Sequence, residues 1–315
     1  MPVMNFRIRN LIFFSLITLF SSCFLIDKTS KEEVDTSEAN LEVDDFLSYV
    51  NVLDGSELYE SADDSSKVLA NLPFRSRFKE LPEEAKKEDW VYVEWRGKKG
   101  WIPEDEISKD PPKSGNGFVP EHLEEICVGM ENSLQCYRAV EKIVLQEGVP
   151  AKRQGAKLQV LLNDDNVMEF EDNPSEDESA IFFNYIEFIE EIDLHIIQSS
   201  VYEGGSLIGV HLSGQKINLI DFPEVSPDRK RFVTAFFCPN TTYCKNGIQI
   251  YSILEKKLER ELNLEFRDWT GSDPVWIDEN TISFFLYENG LSEEPTRKGK
   301  LYRHKNKWKM EKEDL

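Results

Sequence analysis

The residues most able to do chemistry in this 315-residue chain are its five cysteines and four histidines, and their spacing limits what they can do. A thiol becomes a nucleophile when a histidine or a helix N-terminus draws off its proton. Cys127, Cys136, Cys238 and Cys244 instead form an even set of near neighbours, which reads as disulfides in an oxidising compartment. Four thiols allow three pairings, and proximity along the chain favours Cys127 with Cys136 and Cys238 with Cys244. Zinc would call for Cys-x-x-Cys spacing, which is absent, so no metal or other cofactor is expected. His195 and His211 fall inside apolar runs and read as strand residues, while His122 and His304 lie in polar ends of their segments. Gly204-Gly205-Ser206 is not led by an apolar strand running into a helix, so it reads as a hairpin turn and not a nucleophile elbow. His-Glu-x-x-His, phosphate-loop and dinucleotide patterns do not occur, and a carboxylate pair for glycoside hydrolysis cannot be singled out among 59 acidic residues.

Cys23 stands apart. Arg7 and Arg9 precede an apolar run from Leu11 to Phe20, and Ser21-Ser22 supply the small residues of a cleavage site. A spanning helix needs roughly 20 apolar residues, so this run is too short. The stretch resembles the lipobox of bacterial lipoproteins, with Phe20 where leucine is usual and Leu19 one residue earlier. The resemblance implies that residues 1–22 are a lipoprotein signal peptide and that Cys23 becomes the lipidated, palmitate-bearing N-terminus. Acyl chains worth about 0.8 kcal/mol per buried methylene make such an anchor permanent. Removing Arg7 and Arg9 with the signal takes the net charge from −22 to −24. That field repels nucleic acid and anionic headgroups, so no nucleic acid is expected as a partner and the membrane is met only through the lipid.

Residues 23–46 are poor in apolar side chains and rich in Glu, Asp, Ser and Thr, which reads as an acidic flexible tether. Residues 47–109 carry short β patterns divided by turns, including the alternation Trp90-Val91-Tyr92-Val93-Glu94-Trp95 and the turn Arg96-Gly97-Lys98. Gly55, Leu58, Ser66-Lys67-Val68-Leu69, Trp90-Val-Tyr-Val93, Gly97-Lys-Lys-Gly-Trp101 and Ile107-Ser108 resemble the bacterial SH3-type domains. After Leu58 the chain departs from that family, with Tyr59-Glu-Ser-Ala-Asp-Asp64 where Asn-Val-Arg-x-Gly-Pro is frequent. The resemblance implies a small barrel that binds a cell-wall peptide or an envelope protein partner. Tyr59, Trp90, Tyr92 and Trp95 are the candidate ligand-binding rings, because aromatic side chains give contact area at low entropic cost. Period two places Val91, Val93 and Trp95 on one face and Trp90, Tyr92 and Glu94 on the other, so one set must be core. Val91, Val93 and Trp101 are expected inside.

Asp110-Pro-Pro-Lys-Ser-Gly-Asn-Gly117 reads as a linker, spanning residues 110–118. Residues 119–148 have a helical pattern, but one unbroken helix would hold Cys127 and Cys136 about 13 Å apart along its axis, so a disulfide requires a break near Gly129 and Asn132. A second helix then starts near Ser133, capped by Asn132, with Gln135 in the capping-box position. Residues 149–315 read as β-rich. Phe222-Pro-Glu-Val-Ser-Pro-Asp-Arg-Lys-Arg-Phe-Val233 and Asp273-Pro-Val-Trp-Ile-Asp-Glu-Asn-Thr-Ile-Ser-Phe284 echo each other and are similar to the turns of β-propeller repeats of the TolB kind, with Arg229 in a usual glycine position. Three or four blades of about 40 to 45 residues would fit, too few for a closed ring.

The expected architecture is therefore mainly β: a small SH3-like barrel, a short disulfide-linked helical segment, and a β-meander or partial-propeller domain. The expected function is a non-catalytic, lipid-anchored module of the cell envelope, on its periplasmic face or the cell surface. Secreted chains with such a barrel often carry a cell-wall hydrolase, so a hydrolase or hydrolase inhibitor is the alternative, and a surface-exposed adhesin is the third reading.

Overall fold

Alternation at period two runs through most of the chain and produces strands, so the protein is mainly β, with one α-helix among the described residues. The structure, a computed structural model, describes residues 47–315 apart from 53, 82–86, 88, 116–125, 147, 176, 202–203, 237–245, 255–256, 267–268 and 289–293. Cys23, Cys238, Cys244 and His122, together with residues 1–46 that were expected to form a signal peptide and tether, lie outside the described residues.

The first sheet contains β1 (Leu47–Val50), β2 (Ser56–Tyr59), β3 (Val68–Leu72), β4 (Arg77–Glu80), β5 (Trp90–Trp95), β6 (Lys98–Pro103) and β7 (Ile107–Ser108). They are ordered β3-β2-β6-β5-β4-β1-β7. Val50, Leu58, Leu72, Phe78, Val93, Trp95 and Ile102, drawn from six strands, share one core, so the sheet bends around its own apolar face. Gly100 sets the parity of β6. A Cβ there would lie 2.5 Å from the Tyr59 carbonyl oxygen and 2.9 Å from Leu58 Cγ, so only glycine fits where β6 crosses β2. Gly100 and Ile102 therefore face inward and Trp101 outward, which corrects the expectation that Trp101 is core.

The helix α1 (Ser133–Val144) begins where the cysteine argument placed it. Asn132 caps it by accepting from the Gln135 backbone N–H at 2.9 Å, while Gln135 Oε1 accepts from the Glu131 N–H at 3.0 Å. Cys127 and Cys136 are bonded, with Cα atoms 4.9 Å apart, and Gly129 between them takes φ +77°. Four antiparallel sheets follow. The first has β8 (Ala151–Gln154), β9 (Lys157–Leu161) and β10 (Val167–Glu171), and the second β11 (Ile181–Ile189), β12 (Leu194–Val201), β13 (Gly204–His211) and β14 (Lys216–Leu219). The third has β15 (Glu224–Val225), β16 (Arg231–Phe236), β17 (Gly247–Leu254) and β18 (Lys257–Glu265). The last has β19 (Trp269–Asp278), β20 (Thr281–Glu288), β21 (Arg297–His304) and β22 (Lys307–Asp314).

Each sheet is a meander, and three core clusters join successive sheets face to face: Leu158 and Val160 against Tyr185 and Ile197, Ile189 and Ile196 against Phe232 and Tyr251, and Ile248 and Ile250 against Ile282 and Phe284. The two echoed segments are the first hairpins of consecutive sheets, β15–β16 and β19–β20. Arg229 adopts the left-handed conformation, φ +57°, that a glycine would usually supply at that turn. Trp276 donates from Nε1 to the Glu224 carbonyl at 2.9 Å and ties the second hairpin to the first.

Within the stretch Asp110–Gly117, Pro112, Ser114 and Gly115 are tied to the parts on either side. Pro112 is buried and its carbonyl accepts from Arg75 Nη1, Ser114 Oγ donates to Glu187 Oε1, and the Gly115 N–H donates to the same oxygen at 2.9 Å. Arg75, which follows β3 with φ +65°, is 3 % exposed. Its guanidinium lies 3.6 Å from Glu187 Oε2, near the end of β11, and 3.6 Å from Glu191 Oε1, in the turn that follows β11. The Arg77 N–H donates to Glu190 at 3.3 Å, Arg229 Nη2 to Tyr49 Oη at 3.3 Å, and Arg96 Nη1 to the Gly148 carbonyl at 3.1 Å. The first sheet is thus clamped to the meanders through one buried cation and its neighbours.

Removing one partner of a buried ion pair strands the others in low dielectric. Arg75→Met is expected to lower stability in urea unfolding at pH 7 by about 3 to 5 kcal/mol. Burial already raises the Glu187 carboxyl above its ordinary value. A raised carboxyl stabilises below its unfolded value of about 4.3 and loses that contribution as pH rises, so the Arg75→Met deficit should narrow toward pH 4. A deficit below about 1 kcal/mol, or one independent of pH, would contradict a buried clamp.

Candidate functional site

Four rings come together on the outer face of the first sheet. Tyr59 on β2 pairs across the ladder with Trp101 on β6, which pairs in turn with Tyr92 on β5, and Trp90 lies two residues before Tyr92 on the same face. Tyr59 meets Trp90 edge-on with ring centroids 5.4 Å apart, and Tyr92 meets Trp101 at 5.1 Å. All four are half-buried, so they form a continuous ledge with its upper surface in solvent. The core beneath it holds the register: Leu58, Val93 and Ile102 are fully buried on the opposite face of the same strands.

The ledge is ringed by carboxylates. Tyr59 Oη donates to Glu57 Oε2 at 2.6 Å, and this bond, with burial and the charges of Glu57, Asp64 and Glu106, pushes the phenol up to about 12. Burial raises the Glu106 carboxyl, and Asp105, Asp54 and Glu57 raise it further by repulsion. Among the described residues a cation faces the rings: Lys87 Nζ lies 5.5 Å from the Trp101 ring centroid.

Three of the four rings singled out in the sequence, Tyr59, Trp90 and Tyr92, are therefore brought together, and the fourth is not. Trp95 is 6 % exposed and belongs to the core, because it shares the inward parity of Val91 and Val93. Its ring carries the Arg96 guanidinium at 4.6 Å and lies beside Gly148, so it packs at the junction with the meanders. Trp101 takes its place on the ledge. Gly100 decides this, since a glycine forced inward by β2 puts its neighbour outside.

The other polar clusters satisfy themselves. Glu141 in α1, 2 % exposed, accepts from Arg138 Nη1 at 2.8 Å, Arg153 Nε at 2.6 Å and the Tyr185 N–H at 2.8 Å, and both arginines also reach Asp172. Two cations and two carboxylates close this network and dock the helix against β8 and β11. His195 is fully buried, with Nδ1 3.0 Å from Tyr185 Oη and Nε2 2.9 Å from the Leu161 carbonyl. Nε2–H donates to the carbonyl and Nδ1 accepts from the phenol, which leaves no lone pair for a substrate. Ser206 lies within β13 and shares a hydrogen bond with Ser199 Oγ at 2.8 Å, so no nucleophile elbow forms there. A second concavity, of about 550 Å³, opens between the third and fourth meanders and is lined by Asp221, Phe222, Glu224, Asp273 and Tyr287. Burial holds the Asp221 and Glu224 carboxyls above their ordinary values.

No protein-family model matches the chain, and no curated protein matches it.

Burial depresses the His195 imidazole to about 4. A histidine ordinary near 6.5 when unfolded and near 4 when folded stabilises above pH 6.5, and that contribution is lost as pH falls to 4. Urea unfolding should show a loss of up to about 3 kcal/mol across that window. His195→Gln, which can donate to Leu161 and accept from Tyr185, should flatten it. An unchanged pH profile in the variant would contradict a buried neutral imidazole.

Proposed function

We propose that the chain is a lipid-anchored envelope protein whose first sheet, a bacterial SH3-type module, binds a cell-wall peptide or an envelope protein partner without chemistry. The observation that carries this reading is the ledge of Tyr59, Trp90, Tyr92 and Trp101. Rings held by the sheet beneath them give a rigid contact surface at low entropic cost, which is the composition of binding hot spots. A seven-stranded sheet bent around one core supports the SH3-type reading, and the export signal ending at Cys23 supports the location. His195 and Ser206 are engaged in structural hydrogen bonds.

A hydrolase is the second reading, and the cleft with the raised Asp221 and Glu224 carboxyls is what would favour it. One experiment separates the two. The purified mature protein is incubated with labelled cell-wall fragments and envelope extract, beside Trp90→Ala and Trp101→Ala variants whose far-ultraviolet circular dichroism matches the parent. Retention should fall by about tenfold or more in each variant, as for hot-spot rings, with no label released. Retention unchanged in both variants would move binding to the meanders, and release of label that Asp221→Asn abolishes would replace binding by hydrolysis. In cells, Cys23→Ala should shift the protein from the membrane pellet to the soluble fraction; an unchanged distribution would contradict the lipid anchor.

A further inference from the structure

We propose that the ledge selects a cationic peptide segment, one that lays lysine or arginine side chains across Trp90 and Trp101 and points their charges at Glu57 and Glu106. This rests on the binding reading above and names the class of partner. Two independent features of the site converge on it. The first is charge: Glu57 lies on the same face of β2 as Tyr59, Glu106 and Asp64 are close enough to act on the same phenol, and Glu104 and Asp105 follow directly on Pro103, which sits opposite Trp90. An anionic peptide stacked on these rings would meet repulsion at its margins, and a neutral one would gain the aromatic contact alone. A cationic one gains both.

The second feature is a stand-in that the chain supplies itself. Lys87 holds its ammonium 5.5 Å from the Trp101 centroid, within the distance of about 6 Å at which a cation is attracted to a ring face. The side chain is exposed, so this contact is made in competition with water. Lys87 occupies the position that a ligand cation takes, and a bound segment displaces it. Trp101 is thus the ring that reads the charge, and Lys87 the internal competitor for it.

The test uses the full mature chain and three fluorescent ten-residue peptides, alternating Gly-Lys, Gly-Ser and Gly-Glu, read by anisotropy at 50 and 200 mM salt. The Gly-Lys peptide should bind best. Its affinity should fall about tenfold or more in Trp101→Ala and in the Glu57→Gln/Glu106→Gln pair, and should rise severalfold in Lys87→Ala, where the self-contact is gone. Tyr59 keeps an acceptor in Glu57→Gln, so the ledge geometry is retained in that variant. If the Gly-Ser peptide binds as tightly as Gly-Lys and loses affinity in Trp101→Ala, the ledge is a binding site but the charge class is wrong. If the Gly-Lys peptide binds in a salt-sensitive manner that Trp101→Ala and Lys87→Ala leave unchanged, the general field of an acidic protein is responsible and the inference falls. If no peptide responds to any ledge variant, and the ledge variants also retain cell-wall fragments normally, both readings fall together.

Discussion

Among the described residues one buried guanidinium, that of Arg75, leads the contacts that join the first sheet to the meanders. Arg75 brings one positive charge into a region where Glu187 and Glu191 are almost fully enclosed, and its ion pairs, at 3.6 Å, are longer than hydrogen bonds. Such a cluster adds little net stability compared with apolar packing, but it penalises every arrangement that separates its members. Pro112, Ser114 and Gly115 complete it from the segment between the first sheet and the meanders. Gly115, with φ +73°, passes so close to Phe222 that a Cβ would lie 2.6 Å from the ring. A stretch with linker composition is thereby converted into a strap.

That constraint gives the aromatic ledge its setting. The junction of the first sheet with the meanders carries the inward Trp95 and the turn residues Arg96 and Arg75, and the ledge rings stand on the outward face of β2, β5 and β6. One alternating strand, β5, therefore serves both ends: Val93 and Trp95 anchor it inward, and Trp90 and Tyr92 present outward. The meanders add mass and rigidity through three shared apolar interfaces, while their polar clusters, at Glu141 and at His195, are closed by partners within the fold.

Much of this was legible in local pattern. The alternation from Trp90 to Trp95 gave the two faces of β5, the nine-residue cysteine spacing forced the helix break, and Asn132 and Gln135 marked where α1 begins. What period two cannot give is which face is inward, and Trp101 was misplaced because an aromatic residue was expected to outrank Ile102 for the core. The steric demand of Gly100 decides it, and that demand exists only once β2 lies against β6. Strand β4, crossing the variable stretch before Trp90, and the two strands that flank β9 carried too little apolar pattern to be read. Arg75 was illegible for a different reason. In sequence it sits in a loop between Pro73 and Arg77, where charge reads as solvated, and the carboxylates that bury it are more than 100 residues away. Lys87 is opaque in the same way, since its meaning depends on the ring that the fold places beneath it.

We propose the ledge as the recognition surface of a body held rigid by the Arg75 cluster. Hydrogen–deuterium exchange of the full mature chain, with and without the Gly-Lys peptide at saturation, tests it most directly. Slowed exchange is expected in β2, β5 and β6 and in the turn at Glu104–Glu106, with β11 to β22 unchanged. Protection centred on the cleft lined by Asp221 and Glu224, or spread over the meanders with the ledge strands unaffected, would contradict it.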